Sequence, residues 1–173
     1  MEGQRKYDFR WELLGDIAVG RPNLGMYTRL ELYRLMQFSF RDVIEARYGT
    51  QAADEIFYQA GKLAGTEFYR HYLSGITEFN QLISRLQSLF SEMSIGILRV
   101  EHADLEQGRF VITVSEDLDC SGLPELDYEL CTFDEGLIAA LLESFTGKAF
   151  TVKEVDCWCT GDRTCRFQAE LAA

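Results

Sequence analysis

Residues 131–167 read CTFDEGLIAALLESFTGKAFTVKEVDCWCTGDRTCRF, and this stretch decides the fold. It carries four of the five cysteines, so chemistry and architecture meet in it. Thr132 with Glu135 three residues on has the spacing of a capping box, and the apolar run behind it predicts a helix that stops at Gly147. Two strands follow, before and after the turn signal Gly161-Asp162. A hairpin there faces Cys157 toward Cys165. Glu154 lies three residues before Cys157, and Cys131 stands ahead of a helix that can fold it back onto the pair.

Three thiols and a carboxylate at this spacing suit a borderline-soft divalent ion, with zinc as the natural occupant of a four-ligand site without redox work. The same cysteines can instead form a disulfide or simply pack. Five cysteines is an odd number, and no apolar leader precedes the chain, so an oxidising compartment is not expected. Alternation along a strand puts Cys159 on the face of Cys157, where it can replace a ligand or serve none.

These residues resemble a known family, the 4-vinyl reductase or hydrocarbon-binding domain. The resemblance rests on Cys131, Phe133-Asp134-Glu135-Gly136, Leu141-Leu142-Glu143, Thr146-Gly147-Lys148, Glu154, Cys157, Gly161-Asp162, Cys165 and Phe167. Residues 1–130 match only in general style, as helices before a sheet. Phenol-sensing members hold zinc through a cysteine, a glutamate and two further cysteines, which implies Cys131, Glu154, Cys157 and Cys165 here. Cys159 and Cys120 match no ligand of that pattern.

Four protein ligands leave no open coordination position, so the implied zinc is structural. Such an ion contributes roughly 10 to 16 kcal/mol of apparent binding energy in small peptides, against about 2 to 4 for a disulfide. Its ligand set carries net negative charge, for which Lys153, Arg163 and Arg166 offer counter-charge; they can equally be solvated strand-edge charges.

The rest of the chain reads as one domain: an N-terminal arm (1–27), a helical part (28–94), and a sheet with a helix and the zinc site (95–173). Glycines and Pro22 argue against a long helix in the arm, which reads as a short strand or an extended segment. Thr28 with Glu31 forms a capping box for a helix in which Leu32, Leu35, Met36, Phe40 and Val43 recur until Gly49. A second helix runs from about Ala52 to Tyr72, with Phe57, Ala60, Ala64 and Phe68 on one face. Its Gly61 and Gly65 form a small-residue stripe to which another backbone, or a ligand, comes close. Thr77 caps a third helix through Met93. Leu98–Glu101 and Arg109–Glu116 read as strands around Gly108, and residues 120–129 as a loop.

Helices, a hairpin, a helix and a hairpin make an α+β domain with an antiparallel sheet on one side. The resemblance implies the same architecture, that of heme NO-binding and TRAPP-like ligand-binding domains, and it implies homodimers. A composition 47% hydrophobic and 26% charged is that of a soluble globule. A net charge of −11 argues against nucleic acid or an anionic membrane as partner. No run is long and apolar enough to span a membrane, so a cytoplasmic location is expected.

Phe57, Phe68, Tyr69, Tyr72, Phe79, Leu86 and Phe90 supply surface for a ligand cavity between helices and sheet, or for a filled core. His71 can hydrogen-bond a phenol or carbonyl, or cap helix carbonyls. Phe57, Phe68, His71 and Tyr72 are therefore the candidate ligand contacts. Dinucleotide, phosphate-loop, zinc-protease and serine-elbow signatures are missing, so an enzyme is not the first reading.

Three roles follow. The first is a zinc-stabilised sensor or carrier of a small hydrophobic or aromatic molecule, a tetrapyrrole or its precursor among them, passing any signal to a separate partner. The second is an accessory of vinyl reduction in chlorophyll-type pigment synthesis. The third is a TRAPP-like interaction scaffold.

Overall fold

A computed structural model describes residues 6–172. It contains α1 (Ile17–Gly20), α2 (Leu30–Tyr48), α3 (Thr50–Tyr72), α4 (Phe79–Glu92) and α5 (Thr132–Thr146), with strands β1 (Ile97–Asp104), β2 (Arg109–Ser115), β3 (Phe150–Asp156) and β4 (Cys165–Leu171). The strands form one antiparallel sheet in the order β1-β2-β4-β3. The α+β architecture read from the sequence is the one observed.

The layers follow from the apolar content of each helix. α5 is apolar nearly all round, as a helix buried on two sides must be, and it lies between the sheet and α3. α4 turns Leu82, Leu86, Leu89 and Phe90 into the core and packs on β1. α2 lies outermost, against α3.

The small-residue stripe of α3 marks a close backbone approach. A Cβ on Gly61 would fall 2.0 Å from the Phe133 carbonyl oxygen, and one on Gly136 of α5 would fall 2.0 Å from that of Tyr58. Glycine at both positions is what allows α3 and α5 to touch.

α5 also guards the sheet. Glu135 accepts the Glu154 N–H at 2.8 Å and pairs with Lys153, while Glu143 accepts the Phe150 N–H at 3.1 Å and pairs with Lys62. Both amides belong to β3, an edge strand whose outer hydrogen-bonding groups would otherwise be open to another chain. This explains why the expected capping box at Thr132 is absent: Glu135 is drawn to the sheet edge, and Cys131 occupies the cap position without a side-chain cap bond. Gly147 ends α5 in the left-handed conformation, as the sequence indicates (φ 72°).

Other helix starts differ as well. α2 begins at Leu30 after an uncapped Arg29, which leaves Glu31 in the first turn beside the Arg29 guanidinium. α4 begins after Glu78 rather than at a Thr77 cap. The arm forms no strand among its described residues; it makes a 3-10 turn at Trp11–Leu14 and then α1. Its anchor is Trp11, whose backbone N–H donates to Glu67 Oε2 at 2.8 Å and whose ring stacks on His71 with centroids 4.2 Å apart.

The largest departure concerns α2. Leu32, Leu35, Met36, Phe40 and Val43 recur at helical spacing, yet all are exposed, Leu35 at 68% and Phe40 at 59%. Polar residues face inward instead. Tyr33 and Gln37 bond the Asp119 carboxylate at 2.8 and 2.7 Å, and Arg34 bonds the carbonyls of Leu118 and Ser121 at 2.9 Å each. Arg41 is buried, pairs with Asp54 and Glu45, and lies 5.6 Å from the centre of the Phe57 ring.

Candidate metal centre and apolar groove

Alternation along β3 buries Phe150, Val152 and Glu154 on the core face. A carboxylate at a core position is costly unless something partners it. The Cys131 N–H donates to Glu154 Oε2 at 3.1 Å, while Oε1 is buried without a hydrogen-bond partner.

Around this carboxylate the chain collects sulfur. Cys157 follows β3, Cys165 opens β4, Cys131 caps α5, and Cys120 comes from the loop after β2. All four are buried and free, and their sulfurs lie within 4.8 Å of one another. The Cys131 sulfur stands 4.0 Å from that of Cys157 and 3.9 Å from that of Cys165, and the sulfurs of Cys120 and Cys165 are 3.0 Å apart. A tetrahedron with zinc–sulfur bonds of about 2.3 Å has edges of about 3.8 Å. Two separations match that edge, and the third is between an edge and a disulfide bond.

The residues named from the sequence are thus neighbours: Cys131, Cys157 and Cys165 form a cluster, and Glu154 abuts it through the Cys131 backbone. Cys120 joins them, although the sequence pattern leaves it out of the set. Cys159 does not; it is buried in the 3-10 turn Trp158–Thr160, and its carbonyl accepts the Leu126 N–H at 2.8 Å. The three basic residues are engaged elsewhere. Lys153 pairs with Glu135, Arg166 with Glu101 and Asp156, and Arg163 lies over the Trp158 ring at 4.7 Å.

Sequence reasoning also misses a set of buried acids beside the cluster. Asp117, Asp134 and Cys131 bring donor atoms within 4.8 Å of one another. Burial, then the Asp119 charge, pushes the Asp117 carboxyl up to about 7, and burial raises Asp119 and Asp134. Burial, reinforced by Cys157, pushes Glu154 up to about 9. The run Asp117-Leu118-Asp119-Cys120 is plain in the sequence, but a loop offers no periodicity to show which side chains turn inward.

The four candidate ligand contacts divide into two places. Phe68, His71 and Tyr72 gather at the end of α3 beneath Trp11, with Tyr72 edge-on to His71 and tilted against Phe68. Phe57 lies 11 residues earlier, about 16 Å along the helix. It lines an open groove of about 320 Å³ between α2 and α3, with Tyr33, Met36, Phe40, Ile44 and Phe133. Phe68, Leu86 and Phe90 belong to the packed core, with Tyr69, Tyr72 and Phe79 half-buried against it.

Comparison with known proteins agrees with this geometry. The 4-vinyl reductase (V-4-R) domain family matches residues 110–171, the segment from β2 to β4. An uncharacterised protein of Methanocaldococcus jannaschii is 26% identical over 148 residues, which is 86% of this chain and 79% of that protein. Three solved structures share the fold. The phenol-responsive sensory domain of the transcription activator PoxR, with phenol, aligns at TM-score 0.62 and 15% identity, covering 86% of this chain and 78% of its own. A vinyl-4-reductase family protein from M. jannaschii aligns at 0.59 and 16%, covering 90% and 91%. Subunit 3 of a trafficking protein particle complex from Naegleria fowleri, covalently bound to palmitic acid, aligns at 0.63 and 16%, covering 83% and 95%. The fold also extends to an H-NOX protein from S. oneidensis, at TM-score 0.52, 13% identity and 79% and 74% coverage. The fold is therefore one used by small-molecule sensory domains. Among the described residues no helix is long and apolar enough to cross a membrane.

Proposed function

We propose that this chain, whose residues 110–171 match the 4-vinyl reductase domain, is a zinc-stabilised homodimeric module that binds a small hydrophobic or aromatic molecule. The observation that carries the reading is the groove around Phe57. Its lining is almost wholly apolar and runs on into the exposed face of α2. A soluble protein seldom leaves so continuous an apolar face bare. A second copy seated on Leu32, Leu35, Met36 and Phe40 covers that face and roofs the groove. About 320 Å³ is at the lower end of the roughly 300 to 1,000 Å³ of small-molecule sites, which favours a single-ring aromatic over a tetrapyrrole.

Zinc holds the far side of the domain, through Cys131, Cys157, Cys165 and one further donor. The resemblance offers Glu154 for that position and the geometry offers Cys120. The ion would tie the start of α5 to both strands of the β3–β4 hairpin, so its role is structural. Phe68, His71 and Tyr72, lidded by Trp11, are the second candidate place for ligand contact. Signalling to a separate partner in the cytoplasm completes the reading.

Native mass spectrometry of freshly purified, reduced protein tests it. A dimer with two zinc ions and an organic adduct is the expected spectrum. A zinc-loaded dimer without adduct would favour an interaction scaffold, and a tetrapyrrole adduct would favour an accessory of pigment synthesis. Metal-free protein with a Cys120–Cys165 disulfide would overturn the metal centre.

A further inference from the structure

We infer that Cys120 supplies the fourth ligand of the metal centre and that Glu154 stands outside it, as the carboxylate that fixes the Cys131 backbone. The inference rests on the zinc reading and concerns only which of the neighbouring donors bind. Five donors surround one position, Cys120, Cys131, Cys157, Cys165 and Glu154, whereas a structural zinc takes four.

Position and engagement both favour the thiol. The Cys120 sulfur is within 4.8 Å of the other three and touches Cys165 at 3.0 Å, so opening one contact by under an ångström completes a tetrahedron. Glu154 is engaged already: Oε2 receives the Cys131 N–H, and its own N–H is held by Glu135. That arrangement is the outer-shell pattern of a carboxylate that orients a ligand. Softness also favours sulfur over oxygen beside three thiolates.

The construction of the Cys120 loop points the same way. Cys120 is fully buried, and its backbone N–H donates to Asp117 Oδ1 at 3.2 Å. The loop carrying it is gripped from outside by Tyr33, Arg34 and Gln37 of α2, through four bonds of 2.7–2.9 Å to Asp119, Leu118 and Ser121. The inward polar face of α2 is thus spent on positioning this loop. With Cys120 as ligand, α2 joins the segments tied by the ion, which are otherwise α5, β3 and β4.

Cobalt(II) substitution of the full chain tests the assignment, because sulfur-to-cobalt charge-transfer absorption grows with the number of thiolates bound. The native protein should show four-sulfur intensity, Glu154→Gln should keep it, and Cys120→Ser should drop it by one sulfur's share. Affinity alone would not separate the roles, since losing an outer-shell partner costs about 10- to 100-fold by itself. A spectrum altered by Glu154→Gln and untouched by Cys120→Ser would overturn the inference. If Cys120→Ser does not fold, zinc-edge X-ray absorption of the native protein decides: four sulfurs support it, three sulfurs and an oxygen refute it. Protein that takes up neither cobalt nor zinc would instead sink the metal reading itself.

Discussion

Helices α2 and α5 carry equally regular apolar positions and meet opposite surroundings. α5 is enclosed, with α3 pressed on it backbone to backbone at Gly61 and Gly136 and the sheet on its other side. α2 turns its apolar stripe outward and spends its polar face on the loop that carries Asp119 and Cys120. Periodicity says that a face is to be covered. It does not say whether the cover is the same chain, a ligand or another molecule, and only the enclosed helix could be placed by composition, because it is apolar on every side.

The contrast can be broken from the enclosed side first. Stripping the metal with a strong chelator under reducing conditions should remove more than about 4 kcal/mol, given the roughly 10 to 16 kcal/mol of apparent binding energy in zinc peptides. In a chain of this size that lowers Tm by more than about 10 °C. Cys157→Ser should do the same, and a melting curve unchanged by both treatments would show that the cluster holds nothing. Gly136→Ala comes next. Its Cβ would overlap the Tyr58 carbonyl, so α3 and α5 must part, at about 3 kcal/mol and a Tm lower by about 6 to 12 °C. An unshifted Tm would mean that the two helices are not in backbone contact.

Arg41→Met sharpens the boundary between the two regions. Arg41 is the buried residue of α2, held between Asp54, Glu45 and the Phe57 ring. Its partners are partly exposed, so the loss should be only about 1 to 2 kcal/mol, well below that for a fully buried pair. Urea denaturation measures it, and the midpoint should fall with the slope unchanged.

How much of this was legible depends on where each signal resided. The strands, the extent of α5 and its Gly147 stop followed from alternation and turn chemistry. Cys131, Cys157 and Cys165 could be grouped because two flank a hairpin and the third sits at a helix start. Glu154 announced itself as a charge on the buried face of β3. Cys120 could not be grouped, since its loop is positioned by Tyr33, Arg34 and Gln37, more than 80 residues away. The expected caps at Thr28, Thr77 and Thr132 failed for a related reason: a partner elsewhere outweighed a local bond, most plainly where the β3 edge claimed Glu135.

The outward face of α2 should show the smallest effect on stability and the clearest effect on assembly. Leu35→Glu and Phe40→Glu place a charge where the side chain touches solvent in a single protomer, so each variant's monomer should keep its fold within about 0.5 kcal/mol. In a dimer seated on that face each substitution buries two like charges near one another, which costs far more than the contact is worth. Sedimentation velocity should therefore find the native chain as a dimer and both variants as monomers, with the metal content unchanged. Variants that stayed dimeric would move the interface elsewhere and leave the groove around Phe57 open to solvent, with a ligand as the remaining candidate to cover it.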